Sequence, residues 1–231
     1  MKKITIILAG LALSAAANAN ERDLSQKFYA GVNVGGSFAT LSSPAKKLQT
    51  ATNTRFSKQA LSGDVHFGKR FGAFGVELNA GLLDQLKFAE ASGLVTAKAV
   101  DYLISVDLGY YVPVTDMLSV KAVVGLGGMY TQNTITITGA GSALQLATQL
   151  AVAGFNSSDN LLGYSSSNIS TLAIGKNTNT QFKLTPKVGA GLVYAVHQNV
   201  SLNLAANFIC PIKADNIKYL FNTNVGVNYH F

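Results

Sequence analysis

Apolar and polar residues alternate along the last stretch of the chain, residues 219–231. Every second residue there, from Tyr219 to Phe231, is aromatic or β-branched, and the residues between them are mainly asparagine. A period of two indicates a β-strand with one apolar and one polar face. The same alternation recurs upstream and predicts eight strands in all, at residues 27–39, 61–71, 74–82, 98–112, 118–130 with a continuation to 138, 181–196, 200–210 and 219–231.

The connections between these strands alternate between long and short. Short turns are predicted at residues 72–73, 113–116 and 197–199, and longer loops at 41–58, 83–97 and 131–180. This rhythm is typical of an up-and-down barrel that crosses a membrane, in which both termini and the short turns share one side. The strands also reach the roughly 9–11 residues that cross a bilayer at a tilt. A soluble eight-stranded barrel of the lipocalin type has the same strand count, and alternation alone does not say which face points outward.

Charged residues within the predicted strands fall mainly on the minor face, among glycine, asparagine and serine; Lys69, at a strand end, is an exception. In a barrel of eight strands this face lines an interior with room only for side chains. Charges buried there must pair, because an unpaired one costs several kcal/mol. We therefore predict a closed lumen with a charge network whose individual pairs cannot be read from the sequence. Its members are Asp64, Arg70, Glu77, Asp101, Asp107, Lys121, Lys183 and Lys187.

The beginning of the chain has the features of an export signal. Lys2 and Lys3 precede an apolar stretch at residues 4–12, and Ala17 and Ala19 fit the small-residue cleavage pattern. We predict a signal peptide at residues 1–19 and a single mature barrel domain at residues 20–231. The apolar stretch is too short for a spanning helix, and no later segment has eighteen consecutive apolar residues.

Composition limits the classes of binding partner and the kinds of disulfide, metal and cofactor chemistry that can be expected. Charged residues make up 13% of the chain, the net charge is +7 and the mean hydropathy is +0.25. A basic exported barrel suits anionic lipopolysaccharide, whereas the absence of a basic run argues against nucleic acid. One cysteine and three scattered histidines give no internal disulfide and no expected metal site or cofactor.

Several short segments resemble those of a known family. They are F-Y-A-G-V at 28–32, F-G-V-E-L at 74–78, V-V-G-L-G at 123–127, V-G-A-G-L-V-Y at 188–194 and V-G-V-N-Y-H-F at 225–231. In order and spacing the chain resembles the small eight-stranded outer-membrane barrels, the group of the OmpA membrane domain, OmpX and the opacity proteins. The resemblance implies an all-β, up-and-down transmembrane barrel in the bacterial outer membrane. It also implies that Val225, Val227, Tyr229 and Phe231 form a C-terminal signal for the insertion machinery.

The resemblance implies a non-enzymatic surface antigen or adhesin rather than one catalytic activity. We expect a monomeric barrel that contacts outer-membrane lipid and lipopolysaccharide and presents its loops to a host surface or matrix. Within the longest loop, residues 143–155 are predicted to pack over the barrel mouth and residues 156–171 to form a mobile tip. A small porin is the alternative. A lipid A-modifying enzyme built on Ser62, Asp64 and His66 is the weaker one, because residues two apart on a strand lie about 7 Å apart.

Overall fold

The computed structural model describes residues 24, 26–43, 45–46, 49, 59–89, 95–139, 160–161, 164–165, 174–212 and 217–231. The predicted signal peptide at 1–19 and the predicted segment at 143–155 lie outside these residues, as does most of the predicted tip at 156–171. In this part of the chain, no helix is long and apolar enough to span a membrane.

Eight antiparallel strands close into a barrel, as the sequence predicts. The described strands are β1 (Phe28–Leu41), β2 (Gln59–Phe71), β3 (Phe74–Ala89), β4 (Val95–Pro113), β5 (Leu118–Ile137), β6 (Asn160–Leu161), β7 (Tyr164–Ser165), β8 (Gly175–His197), β9 (Val200–Ile209) and β10 (Ile217–His230). Neighbouring strands of the barrel follow the order β1-β10-β9-β8-β5-β4-β3-β2, and β1 pairs with β10 to close the ring. The two shortest strands, β6 and β7, pair with each other.

The apolar face of each strand points outward. On β1, Val32 and Val34 are 55% and 53% exposed, while Asn33 between them is only 9% exposed. A soluble barrel would bury the valines and expose the asparagine. The observed arrangement is what a barrel surrounded by lipid requires, because lipid accepts apolar side chains and the strands satisfy one another's backbone hydrogen bonds. The structure thus decides between the two barrels that alternation left open.

The two ends of the barrel differ. Tight turns join β2 to β3, β4 to β5 and β8 to β9 at one end, here called the turn end, where Gly72 adopts a φ of 62°. The start of β1 and Phe231 also lie there, since Phe28 and Phe231 exchange backbone hydrogen bonds of 3.1 and 2.9 Å. The opposite end, here called the loop end, carries the longer connections between β1 and β2, β3 and β4, β5 and β8, and β9 and β10.

Three strands extend farther at the loop end than the sequence predicts. Strands β3 and β4 continue to the pair Ala89 and Thr96, and β8 begins at Gly175, the partner of Ile137 in β5. The predicted loop 83–97 is therefore wrong at both edges, and the predicted loop 131–180 is wrong at its later edge. The predicted continuation of the fifth strand to residue 138 is confirmed, since β5 ends at Ile137. In β8 the extension consists mainly of Thr, Asn and Lys. It therefore lacks the outward apolar face on which the strand prediction relied, although the ladder of cross-strand hydrogen bonds continues.

Exposed aromatic side chains form two belts around the outside. The turn-end belt comprises Phe28, Phe71, Phe74, Tyr110, Tyr194, Tyr229 and Phe231, and the loop-end belt comprises Phe38, Tyr102, Tyr130, Phe182, Phe208 and Phe221. On β4 the belts are separated by the stretch from Tyr102 to Tyr110, about 27 Å along the strand and roughly 20 Å along a tilted barrel axis. Aromatic belts of this kind mark the two interfaces of a membrane.

The lumen as candidate functional site

Charged side chains fill the lumen toward the turn end. Glu77 of β3 and Asp107 of β4 are cross-strand partners, so two carboxylates stand side by side on the inner wall. A lysine from two strands farther around the ring pairs with each of them. Lys121 Nζ lies 2.8 Å from Glu77 Oε2, and Lys187 forms an ion pair with Asp107. Each pair therefore connects strands that are not neighbours, because β5 supplies Lys121 and β8 supplies Lys187.

Neutral polar groups complete both ion pairs. The Tyr29 hydroxyl donates to Glu77 Oε2 at 2.9 Å, and Asn79 Nδ2 donates to Asp107 Oδ2 at 2.9 Å. Each carboxylate therefore has a lysine and at least one neutral donor. A buried carboxylate needs such additional hydrogen bonds, because attraction to one cation seldom offsets the loss of its hydration.

The third acid of this region, Asp64, belongs to an amide-rich cluster. Asn33 Nδ2 donates to Asp64 Oδ1 at 2.7 Å, and His66 Nδ1 lies 3.3 Å from the same oxygen. His66 Nε2 lies 2.6 Å from Asn228 Oδ1, which joins β2 to β10 across the closing seam. These side chains occupy the space beside the two ion pairs.

Arg70 lies nearest the turn end among the predicted network members. Its guanidinium carbon is 4.1 Å from the centre of the Tyr111 ring, a cation–π contact. The Tyr111 hydroxyl in turn lies 3.2 Å from the Tyr29 hydroxyl, which hydrogen-bonds Glu77. Aromatic rings thus connect the arginine to the carboxylates. These rings were not among the predicted members of the network, although Tyr29 and Tyr111 occupy the minor face in the alternation.

Asp101 and Lys183 are on the inner wall but not in this group. Asp101 is buried, and the Thr131 hydroxyl donates to its carboxylate at 2.5 Å. It lies six residues from Asp107, about 20 Å along β4. Lys183 is half-buried and is the cross-strand partner of Met129. The structure therefore brings together six of the eight predicted residues and places the other two toward the loop end.

Apolar side chains fill much of the lumen at the loop end. They are almost completely buried and point inward, and they comprise Leu41, Leu83, Leu103, Met129, Ile135, Ile137, Ile209, Ile217 and Leu220. We call this set the apolar layer, and the ion pairs with their hydrogen-bonding neighbours the charged layer. The apolar layer was not predicted from the sequence. Its signal was present, since Leu103, Ile209 and Leu220 interrupt an otherwise polar minor face close to the loop end.

Little space remains inside the wall. Within the described residues, a cavity of about 50 Å³ lies in the charged layer, and one of about 30 Å³ lies between Asp64 and the apolar Leu103. Either volume holds one or two water molecules and no larger solute. A wider vestibule of about 510 Å³ opens at the turn end, between Arg70, Tyr111 and the turn at 114–117. It ends at the charged layer.

The candidate catalytic residues do not form a nucleophile–base pair in the described part of the chain. The Ser62 hydroxyl accepts a 2.7 Å hydrogen bond from Asn222 Nδ2, while the described contacts of His66 are with Asp64, Asn33 and Asn228. A serine–histidine contact does occur elsewhere, between Ser201 Oγ and His230 Nε2 at 2.8 Å. Both residues are buried. Among the described residues, His230 Nδ1 has no hydrogen-bond partner. No carboxylate of the described residues therefore orients the His230 ring as in a catalytic triad. The described residues also contain no group of three or more His, Cys, Asp and Glu that could bind a metal.

The predicted C-terminal signal lies on the outside of β10. Val225, Tyr229 and Phe231 are exposed, and Val227 is half-exposed on the same face. The Phe231 ring lies 6.3 Å from Phe28 and 6.2 Å from Phe67, across the seam where β10 meets β1. The last residue of the chain therefore contacts the first two strands.

An outward apolar surface between two aromatic belts, a polar and charged interior, and a closed ring of eight antiparallel strands define an integral outer-membrane barrel. The sequence matches the family described as outer membrane protein beta-barrel domain over residues 5–231, and the chain belongs to this family. Its place is the bacterial outer membrane, where such barrels contact lipid and lipopolysaccharide. No curated protein matches the chain in sequence.

Solved structures share the fold at low sequence identity. A major outer membrane protein from Thermus thermophilus superposes with a TM-score of 0.56 at 12% identity, covering 90% of this chain and 100% of that one. Ail, the attachment invasion locus protein of Yersinia pestis, gives 0.51 at 12% identity, covering 90% and 99%. OprG from Pseudomonas aeruginosa gives 0.50 at 14% identity, covering 92% and 99%. These likenesses extend over nearly the whole barrel and concern its fold.

Proposed function

We propose that this protein is a non-enzymatic surface protein of the outer membrane, in which a closed barrel serves as a rigid base for external binding loops. The observation that carries the proposal is the filled lumen. Two ion pairs bridge the charged layer, and the apolar layer lies beyond it. A barrel filled in this way leaves its loops, rather than its interior, to interact with other molecules.

The uneven barrel wall supports a role for the loop end. Strands β3, β4, β5 and β8 extend past the loop-end belt, and the pair Ile137 and Gly175 is seven residues beyond the pair Tyr130 and Phe182. Seven residues span about 23 Å along a strand. This wall raises the connection between β5 and β8 above the membrane surface on hydrogen-bonded strands. Loops held on a rigid scaffold are well suited to binding.

We propose adhesion to a host surface or matrix as the role of these loops. The Yersinia pestis barrel, named an attachment invasion locus protein, gives a precedent on the same fold. Deletion of residues 143–171 should leave the barrel inserted, shown by a heat-modifiable gel shift, and should abolish binding of the bacteria to host cells. Unchanged binding with normal insertion would reject the adhesin role and leave a structural one.

The porin and enzyme alternatives have less support. The two cavities described above, of about 50 and 30 Å³, are each too small to hold a solute, and ion pairs and apolar side chains occupy the described lumen around them. Ser62 is hydrogen-bonded to Asn222, and the Ser201–His230 pair lacks an acid at His230 Nδ1 among the described residues. The enzyme alternative would be restored if Ser62→Ala or His66→Ala abolished a change in lipid A that the unaltered protein produces.

The remaining sequence predictions form part of the same proposal. We propose that residues 1–19 are removed on export, that the mature barrel of residues 20–231 is a monomer, and that Val225, Val227, Tyr229 and Phe231 are recognised by the insertion machinery. Phe231→Ala should then lower the amount of heat-modifiable barrel in the outer membrane. Val124→Ala, on the outward face of β5, is the matched control and should insert normally.

A further inference from the structure

Lysines stand on the outward face of the barrel beyond the loop-end belt. Lys98 of β4 and Lys176 of β8 are both exposed, whereas their strand neighbours Ala97, Ala99 and Asn177 face the interior side of the wall. Lys98 lies four residues beyond Tyr102, which places it about 13 Å along the strand and roughly 10 Å above the belt. These lysines are therefore at the level of lipid headgroups and sugars rather than of hydrocarbon.

Two threonines of β5 lie between these lysines. Thr134 is the cross-strand partner of Lys98, and Thr136 is the partner of Lys176. Both threonines are partly exposed on the outward face. The four residues thus occupy three neighbouring strands. The two lysines are two strand spacings apart, about 10 Å across the strands, and are also offset by two residues, about 7 Å along them.

No acidic residue offsets this charge on the outward face of these three strands, all of which the structure describes. Strands β5 and β8 contain no Asp or Glu. The acids of β4, Asp101 and Asp107, are buried in the lumen. The exposed Asp116 lies in a turn at the opposite end of the barrel. The group of Lys98, Thr134, Thr136 and Lys176 therefore presents ammonium and hydroxyl donors without a counter-charge on its own strands.

A lysine at the turn end provides the contrast. Lys69 Nζ lies 4.3 Å from the centre of the Phe28 ring and 5.1 Å from that of Phe71, so aromatic faces already attract its charge. The loop-end lysines are accompanied by hydroxyl groups instead. The outer leaflet, on the loop side, is formed by a glycolipid that carries phosphates on its sugars. Ammonium groups pair with phosphate, and hydroxyl groups hydrogen-bond both phosphate and sugar oxygens.

We propose that Lys98, Thr134, Thr136 and Lys176 form a binding site for phosphate groups of lipopolysaccharide on the outside of the barrel. The spacing of the two lysines lets one glycolipid with two phosphates contact both of them. The site holds the outer leaflet against the protruding wall of β4, β5 and β8. It is independent of the loops proposed above for adhesion, because all four residues belong to the strands.

Binding of purified lipid A to the detergent-solubilised protein tests this site. Each lysine near an anionic lipid surface contributes about a fivefold gain in affinity, so the double variant Lys98→Gln, Lys176→Gln should bind lipid A roughly 25-fold more weakly. Lys69→Gln removes the same charge at the turn end and should leave the affinity unchanged. The charge-conserving pair Lys98→Arg, Lys176→Arg should retain most of it.

A second arm of the experiment needs no variant. Enzymatically dephosphorylated lipid A should bind the unaltered protein about as weakly as intact lipid A binds the double glutamine variant. The proposal is overturned if the correctly folded double variant keeps full affinity for intact lipid A. It is also overturned if removing the phosphates leaves the affinity of the unaltered protein unchanged, since binding would then depend on the acyl chains.

Discussion

The charged and apolar layers fill the same lumen by different physical means. In the charged layer, directional contacts hold the interior together: Lys121 with Glu77, Lys187 with Asp107, and amides around Asp64. In the apolar layer, side chains such as Met129 and Ile209 fill the space by packing. A charged group buried with its partner removed is costly, whereas a truncated apolar group leaves only a cavity. The two layers should therefore respond differently to substitution.

The difference also concerns permeability. Polar side chains in the charged layer can hydrogen-bond water, and the cavity there is about 50 Å³. The apolar layer excludes water, and an apolar constriction blocks ions by dewetting. Loss of one ion pair should therefore weaken the fold without opening a path for ions. The charged layer therefore contributes mainly to the stability of the fold, whereas the apolar layer is what closes the lumen to ions.

The largest effect is expected from removing one partner of an ion pair. Lys187→Met leaves Asp107, which is 1% exposed, without its cation and should lower the free energy of unfolding by about 3–5 kcal/mol. Urea unfolding in detergent or lipid vesicles measures this change. The double variant Lys187→Met, Asp107→Asn removes both charges and should recover most of the loss. A single variant as stable as the unaltered protein would show that the pair contributes nothing.

A smaller effect is expected in the apolar layer. Met129 is 2% exposed, so Met129→Ala should cost about 2–4 kcal/mol through lost contacts and a residual cavity. The matched control is Leu126→Ala on the same strand, because Leu126 is 53% exposed on the lipid-facing side. The control should cost clearly less, since lipid can occupy the vacated space. Equal losses at the two positions would mean that the loop-end lumen is not tightly packed.

A glycine in the charged layer gives the smallest of these effects. A Cβ at Gly68 would lie 2.6 Å from the ring of Tyr29 and 2.8 Å from the backbone oxygen of Val76. Gly68→Ala should therefore cost about 1–3 kcal/mol, as Tyr29 shifts away from Glu77 and the strand adjusts. Gly36→Ala is the control, because its nearest neighbour would be 3.8 Å away. The same unfolding assay compares the two variants. If Gly68→Ala were as well tolerated as Gly36→Ala, the position of the Tyr29 ring would be unimportant.

The sequence was most informative where one face of a strand is strongly apolar. The alternation in residues 219–231 and 74–82 predicted strands that β10 and β3 confirm, with their order in a closed barrel. It was least informative beyond the membrane. There the Thr- and Asn-rich start of β8, residues 175–180, pairs with β5 without an apolar outer face, so it was assigned to a loop.

The sequence predicted which side chains point into the lumen, but not which of them pair with each other. Parity placed Glu77, Asp107, Lys121 and Lys187 inside the barrel, and all four are there. Which lysine meets which acid depends on the stagger between non-adjacent strands, and a single sequence carries no record of that stagger. The cation–π contact of Arg70 with Tyr111 was unpredictable for the same reason. The apolar layer was overlooked because a few apolar residues on a polar face read as exceptions.

Single-channel recording in planar bilayers tests the closed lumen most directly. The unaltered protein and the double variant Glu77→Gln, Lys121→Met are compared in concentrated salt. Neither protein should give large, stable conductance steps, because the apolar layer remains intact when the ion pair is removed. Large and stable steps from the unaltered protein would instead identify the barrel as a channel.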